Sequence, residues 1–479
     1  MHKLSLTFLV LVLIFINGCS VREVIVTGTN PLFIPALIDS AEHENIELVL
    51  QKGKHEFYEG VASETMGVNG NYLGPTVKLH KGQTTRITFK NNIDETTTIH
   101  GHGLHVSGDI DGGPQLAIEP NEEWTIDLPV VQEAGTSWYH PHLMGKTGKH
   151  VYAGLAGIYL IEDDNAKSLG LPQSYGVDDI PLVVQDRSFT DKKMNPYLVS
   201  HAQMMDGFRG DTLVVNGTVS PYHIVPKGWV RLRLLNASNA RFYRFYLSEQ
   251  KKFYKIATEG GFLNAPILMT ELTMGPGERN EIMIDLANID NVHVMAEFLA
   301  VDFEDWSFFA SNTATSVVEL RTDSSLVASG VLPNNLNDIA YFTQSEKDQA
   351  VTRTFRLEMD EDAMTYDMHS MFSINGKSMD MQRIDERINK GQLELWSITA
   401  EDMPHPFHMH GVSFLIQTHN GNSPQEADKG WKDTVVVTNE LTEVLMRFNH
   451  IADEKTPYMY HCHILEHEDG GMMGQFTVE

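Results

Sequence analysis

Ten histidines fall into four short blocks: His100-Gly101-His102, His140-Pro141-His142, His405-Pro406-Phe407-His408-Met409-His410, and His461-Cys462-His463 followed by His467. Side chains on a strand alternate faces with period two, so a His-X-His pair presents two imidazoles on one side. Four such pairs occur, at 100/102, 140/142, 408/410 and 461/463. Bringing the two ends of the chain together would build an eight-histidine cage. Imidazole suits copper and zinc, and eight imidazoles exceed what one ion can use, so several ions are expected there.

Cys462 lies between two cage histidines and therefore points the opposite way. It is expected to serve a different ion, with His405, His467 five residues on and Met472 ten residues on as partners. Two imidazoles, a thiolate and a weak axial thioether describe a blue-copper electron-transfer site. The His-Cys-His tripeptide then joins the two sites through a few bonds, electrons entering at the cysteine and leaving through the flanking histidines. A lone His-X-His would read as a surface pair or a zinc ligand. Four pairs with a cysteine set inside one of them read as copper.

These side chains need a frame, and one phrase recurs three times. Val68-Asn69-Gly70 leads through Pro75 and Gly82 to Arg86-Ile87-Thr88-Phe89. Val215-Asn216-Gly217 leads through Pro226 and Gly228 to Val230-Arg231-Leu232-Arg233-Leu234, and Ile374-Asn375-Gly376 through Gly391 to Leu393-Glu394-Leu395-Trp396. The copies start 147 and 159 residues apart, which means three similar domains rather than a solenoid. Other short alternating runs, such as Trp124–Leu128 and Glu443–Phe448, are bounded by Gly, Pro and Asn, and long amphipathic helices are absent. The prediction is an all-β chain of three antiparallel β-sandwiches. Boundaries are expected near Glu162-Asp163-Asp164 and around Asn334 to Asp338.

The 479 residues carry a net charge of −28 and are 42% hydrophobic. That composition supports a folded body, argues against nucleic acid as a partner, and favours cations or neutral molecules at the surface. Residues 1–18 read as a signal peptide: a polar start at His2 and Lys3, then an apolar run from Leu4 to Ile16 too short to span a bilayer with ease. Ile16-Asn17-Gly18-Cys19 resembles a lipoprotein cleavage site, although Asn17 is not the usual small residue. The expectation is an exported protein, periplasmic or at the cell surface, anchored to a membrane through a lipid on Cys19. An ordinary cleaved signal with an incidental cysteine is the alternative. Cys462 is the other cysteine, and a bound metal would protect its thiol in an oxidising compartment.

From about residue 43 to the C-terminus the chain resembles the multicopper oxidases, and among them the bacterial copper-efflux and laccase-like enzymes. The resemblance is carried by Ile99-His100-Gly101-His102-Gly103-Leu104, Asp111-Gly112-Gly113-Pro114-Gln115, Trp138-Tyr139-His140-Pro141-His142, His405 through Gly411, and His461 through Glu468. It implies three cupredoxin-like Greek-key domains, at 43–165, 176–325 and 345–479, after an N-terminal linker at 19–42. The first and third would share the cluster, and the second would be structural. It implies four copper ions per chain. His405, Cys462, His467 and Met472 would hold the type 1 copper, and His100 and His408 the type 2 copper. His102, His140, His142, His410, His461 and His463 would hold the type 3 pair. Family members often have Trp where Gly101 stands, which predicts a local change in packing only.

Reducing O2 to two waters takes four electrons and four protons. The resemblance implies Asp111 and Glu468 as acids that relay protons to the cluster. Asp111 reads equally as a turn residue before Gly112-Gly113, and Glu468 as a solvated acid. The reductant is expected to be Cu(I) or a phenol. Thioethers select Cu(I), and Met359, Met364, Glu401 and Met403 could dock it, within a cluster that also holds Met368, Met371, Met379 and Met381. The competing role for these methionines is gap-filling in a core. Cuprous oxidase activity in copper tolerance is the leading expectation. A phenol-oxidising laccase, a copper-sequestering protein without turnover, and a copper-free relative are the alternatives.

Overall fold

The computed structural model describes residues 22–24, 27–301, 308–360 and 371–479. The expected signal peptide, Cys19, Met364 and Met368 lie outside them. Six large sheets pair into three β-sandwiches. The first sandwich packs a five-stranded on a four-stranded sheet, the second a six- on a seven-stranded sheet, and the third two five-stranded sheets. Each encloses its own hydrophobic core: around Leu48, Phe89 and Tyr159 in the first, Leu232, Phe245 and Ile282 in the second, Phe355, Trp396 and Phe476 in the third.

The threefold phrase in the sequence is threefold in its bonding. Asn69, Asn216 and Asn375 each adopt a left-handed conformation, with φ of 54°, 49° and 56°, which Asn tolerates better than most residues. Each side chain then stitches the turn to a neighbouring strand by the same two bonds. The amide oxygens accept from the backbone N–H of Val49 (2.6 Å), Val183 (2.7 Å) and Arg356 (2.8 Å). The amide nitrogens donate to the carbonyls of Glu47, Pro181 and Thr354, two residues earlier.

The strands are not all antiparallel. In each sandwich the strand after the recurring Gly of the phrase runs parallel to the strand that Asn stitches: Thr84–Asn92 beside Ile46–Tyr58, Trp229–Asn236 beside Asp179–Arg187, Leu393–Ala400 beside Val351–Met359. The chain crosses over between them, as Greek-key connections require. The segment expected to be a linker also has structure. Arg22–Val24 and Asn30–Pro31 add to a sheet of the second sandwich, and Leu37–Asp39 adds to the first. Edge strands of two or three residues are too short to show alternation in a sequence.

Candidate metal centre

The cage is assembled from two pairs of strands. In the first sandwich His100–His102 lies antiparallel to Gly135–His140, with His100 opposite His140. In the third, His405–Met409 lies antiparallel to Tyr458–Cys462, with His408 opposite His461 and Phe407 opposite Cys462. Residues directly opposite share a face. His408 and His461 therefore face the cage, while Cys462 faces the core beneath it. The alternation argument holds along these strands, but His142, His410 and His463 lie just past strand ends. Loop backbone, not pleat, sets their direction.

All eight cage histidines are at most 1% exposed. Their donor atoms converge in groups within 4.8 Å: His102, His140 and His463; His142, His410 and His461; His100, His408 and His410. Hydrogen bonds fix which nitrogen faces inward. His100 Nδ1–H donates to the Asp111 carbonyl (2.8 Å), His408 Nδ1–H to the Asp433 carbonyl (2.8 Å), and His140 Nδ1–H to the Pro141 carbonyl (2.9 Å). Nε2 of each then lies buried without a protein partner. His461 Nδ1–H donates to the Cys462 carbonyl (2.9 Å) and His410 Nδ1–H to Asp111 Oδ2 (2.7 Å). Their two lone-pair nitrogens then face each other 3.3 Å apart. A cation between such nitrogens relieves both the repulsion and the burial of unpaired acceptors.

Burial, reinforced by the other imidazoles, holds His140, His142, His410 and His461 well below the usual histidine range. The rings are neutral, which is the form that binds metal. Glu468 lies 3.4 Å from His142 Nδ1 and 3.3 Å from His461 Nδ1. Burial, and then Asp469 beside it, pushes its carboxyl well above the ordinary range.

Below the cage, His405 Nδ1 lies 3.2 Å from Cys462 Sγ, His467 Nδ1 lies 3.7 Å from it, and the two Nδ1 atoms are 3.2 Å apart. His467 comes from the short helix Leu465–Asp469, which turns it back over the strand end. Its Nε2–H donates to the Met205 carbonyl (2.8 Å), leaving Nδ1 for the cysteine side. Phe372 stacks on its ring with centroids 4.6 Å apart. Met472 is fully buried in the same core as Cys462, and its carbonyl accepts from the Cys462 N–H (3.1 Å). Burial pushes the Cys462 thiol well above its ordinary range, so a bound cation is what would stabilise the thiolate.

Of the residues expected to dock Cu(I), Met403 is 2% exposed and packs in the third core, as the gap-filling alternative had it. Met359 is partly buried against that core, and Glu401 pairs with Arg356 (3.0 Å). Glu358, Met359, Asp360 and Glu401 share an open hollow of about 590 Å³ with Lys377 and Arg383.

Family models described as multicopper oxidase match residues 49–166 and 349–479. A multicopper oxidase, mco, of Staphylococcus aureus is 38% identical over 461 residues, covering 94% of this chain and 93% of its own. The chain belongs to the multicopper oxidase family. The cell division protein FtsP of Sodalis glossinidius is 38% identical over 451 residues, covering 93% of this oxidase and 91% of its own length. Among solved structures, the laccase-like multicopper oxidase CueO of an Ochrobactrum species superimposes with a TM-score of 0.86 at 36% identity, over 94% of this chain and 100% of that one. A Campylobacter jejuni multicopper oxidase described as a metallo-oxidase gives 0.79 at 27% identity, over 95% of each chain. The all-β, three-domain cupredoxin-like architecture and the oxidase class agree with the sequence reading.

The sequence reading missed four participants: Asp433, Arg279, Gly277 and Met205. Arg279 and Gly277 belong to the second sandwich, which was expected to be structural alone, and Met205 lies on the helix His201–Asp206 and packs in the third core. Arg279 is buried against Asp433. A Cβ on Gly277 would come within 2.8 Å of the His463 ring, so this glycine lets the second sandwich pack directly on a cage histidine. None of the four lies in a His block, and an isolated Asp, Arg, Gly or Met carries no periodic signal.

Proposed function

We propose that this multicopper oxidase couples one-electron oxidation of a reductant at the His405–Cys462–His467 site to four-electron reduction of O2 to water at the histidine cage. His405, Cys462, His467 and Met472 would hold one copper, His100 and His408 a second, and two triples, His102/His140/His463 and His142/His410/His461, a third and fourth. The observation that carries this is the convergence of buried imidazole nitrogens with no protein partner, in groups two of which contain a chain neighbour of Cys462, His461 or His463. When bound, the coppers supply single-electron storage at the cysteine and multi-electron delivery to O2 in the cage.

The protein's part is arrangement and protons. His461 and His463 flank Cys462 covalently, and the His463 N–H donates to the Pro406 carbonyl (2.6 Å), tying the cage to the strand that carries His405. Asp111 and Glu468 touch cage histidines and are the acids that would relay protons to where water forms. The leading reductant is Cu(I). The methionine-bearing hollow at Met359 and Glu401 and the net charge of −28 favour a cation. A phenol is the alternative. Export and a lipid on Cys19 rest on the N-terminal sequence; incorporation of radiolabelled palmitate that survives Cys19→Ser removes the anchor.

Metal analysis with oxygen-uptake assays tests the whole reading. Four coppers per chain and O2 consumption faster with Cu(I) than with a phenolic dye support it. A faster phenolic rate supports the laccase. Copper without O2 uptake leaves a sequestering protein. No copper leaves a copper-free relative.

A further inference from the structure

We infer that Asp433, clamped by Arg279 of the second sandwich, is the positioning residue that selects which nitrogen His102 and His408 present to the cage. Asp433 touches the edges of both rings, which stack on each other with centroids 3.7 Å apart. Its Oδ1 accepts from His102 Nε2–H (3.0 Å), and its backbone carbonyl accepts from His408 Nδ1–H (2.8 Å). The unpartnered atoms are therefore His102 Nδ1 and His408 Nε2. One residue thus orients a ring from the first sandwich by its side chain and one from the third by its backbone. His102 is the cage histidine whose inward atom is Nδ1 by this bonding, because its Nε2 is taken.

Asp433 also lies close enough to His102 and His408 to be a ligand itself. Its bonding argues otherwise. Arg279 holds both carboxylate oxygens in a fork, Nη1 to Oδ1 (2.7 Å) and Nη2 to Oδ2 (2.5 Å), and Thr434 Oγ1–H donates to Oδ1 (2.9 Å). Such bidentate pairing fixes the carboxylate plane. Arg279 is itself anchored to the carbonyls of Thr136 (3.0 Å) and Gly277 (3.2 Å). Both charges are at most 1% exposed. Gly103 leaves room for the clamp: at φ +83°, its added Cβ would lie 2.4 Å from Arg279 Nη2 and 2.6 Å from Asp433 Oδ2.

The inference rests on the copper reading, and the test separates the two. Copper retention against a graded chelator is measured in the holoenzyme, with the blue absorbance of the cysteine site as internal control. The double variant Asp433→Ala/Arg279→Met removes the acceptor without leaving a buried charge. It should hold cage copper about 10- to 100-fold more weakly and keep its blue band. Asp433→Asn/Arg279→Gln, which leaves no buried charge and keeps an amide oxygen that can face His102, should stay within a few-fold of wild type. Equal retention in the first double variant overturns the clamp, as does parallel loss of blue colour and cage copper. If the first double variant does not fold, a crystal structure of the wild-type holoenzyme decides. His102 bound through Nδ1 supports the inference, and His102 bound through Nε2 overturns it. Wild type with fewer than four coppers sinks the copper reading instead.

Discussion

The two metal centres lie side by side and are held in opposite ways. The cysteine site draws His405, Cys462, His467 and Met472 from one sandwich, and Cys462 and Met472 belong to one core. The histidine cage spans the seam between the first and third sandwiches, where His142 and His461 nitrogens meet at 3.1 Å. It is braced from the second through Arg279 and Gly277. A site inside one core inherits its geometry from that core's packing. A site on a seam needs its own fasteners. Damage to the seam should therefore empty the cage while sparing the cysteine site, and damage to Cys462 should do the reverse.

The largest effect expected is from Cys462→Ser. Turnover should fall to background and the blue band should vanish, while metal analysis still finds the cage coppers. Loss of all four would mean that the cage depends on the neighbouring site, and the contrast would fail. Next is Asp111→Asn. The carboxylate accepts from His410 at 2.7 Å and lies 3.4 Å from His100, so it links a ring from each sandwich. The blue band should persist while turnover drops by about 10²-fold, the usual scale for losing a positioned proton carrier. An unaltered rate at every pH would leave Asp111 as a turn residue.

Third is Gly103→Ala. The left-handed backbone and the collision with Arg279 and Asp433 together should cost about 2–5 kcal/mol, and cage copper should be lost before the blue band as denaturant rises. Simultaneous loss would make the two centres one cooperative unit.

The chain announced its ligands more clearly than their supports. His-X-His and the interposed cysteine are chemically rare patterns, and strand alternation gives them direction. The Asn-Gly phrase was legible because a left-handed turn needs a residue that tolerates it, so the same type recurs at Asn69, Asn216 and Asn375. Asp433 and Arg279 are separated by 154 residues, and nothing local marks either as a cage residue. Their role arises only when three domains dock. The methionines show the limit from the other side: Met403 matches a thioether ligand by type, and burial assigns it to the core.

The smallest effect concerns acid. Glu281 of the second sandwich accepts from Thr136 of the first (2.7 Å) and pairs with Arg231 and Arg233. Burial would raise its carboxyl, but the two guanidiniums win and lower it to about 2. A depressed carboxylate contributes stability above its unfolded value of 4.5 and loses it as pH falls toward the folded value. By about pH 3 roughly 2 kcal/mol should be gone. The loss should be concentrated where the second sandwich braces the cage side of the first, because Thr136 lies on Gly135–His140, the strand that carries His140. Amide exchange on that strand should speed up between pH 4.5 and 3, more than on Tyr458–Cys462 beneath the cysteine site. Glu281→Gln should flatten this pH dependence. Equal acceleration on both strands would show that acid loosens the molecule as a whole, and that this brace is no weaker than the core it joins.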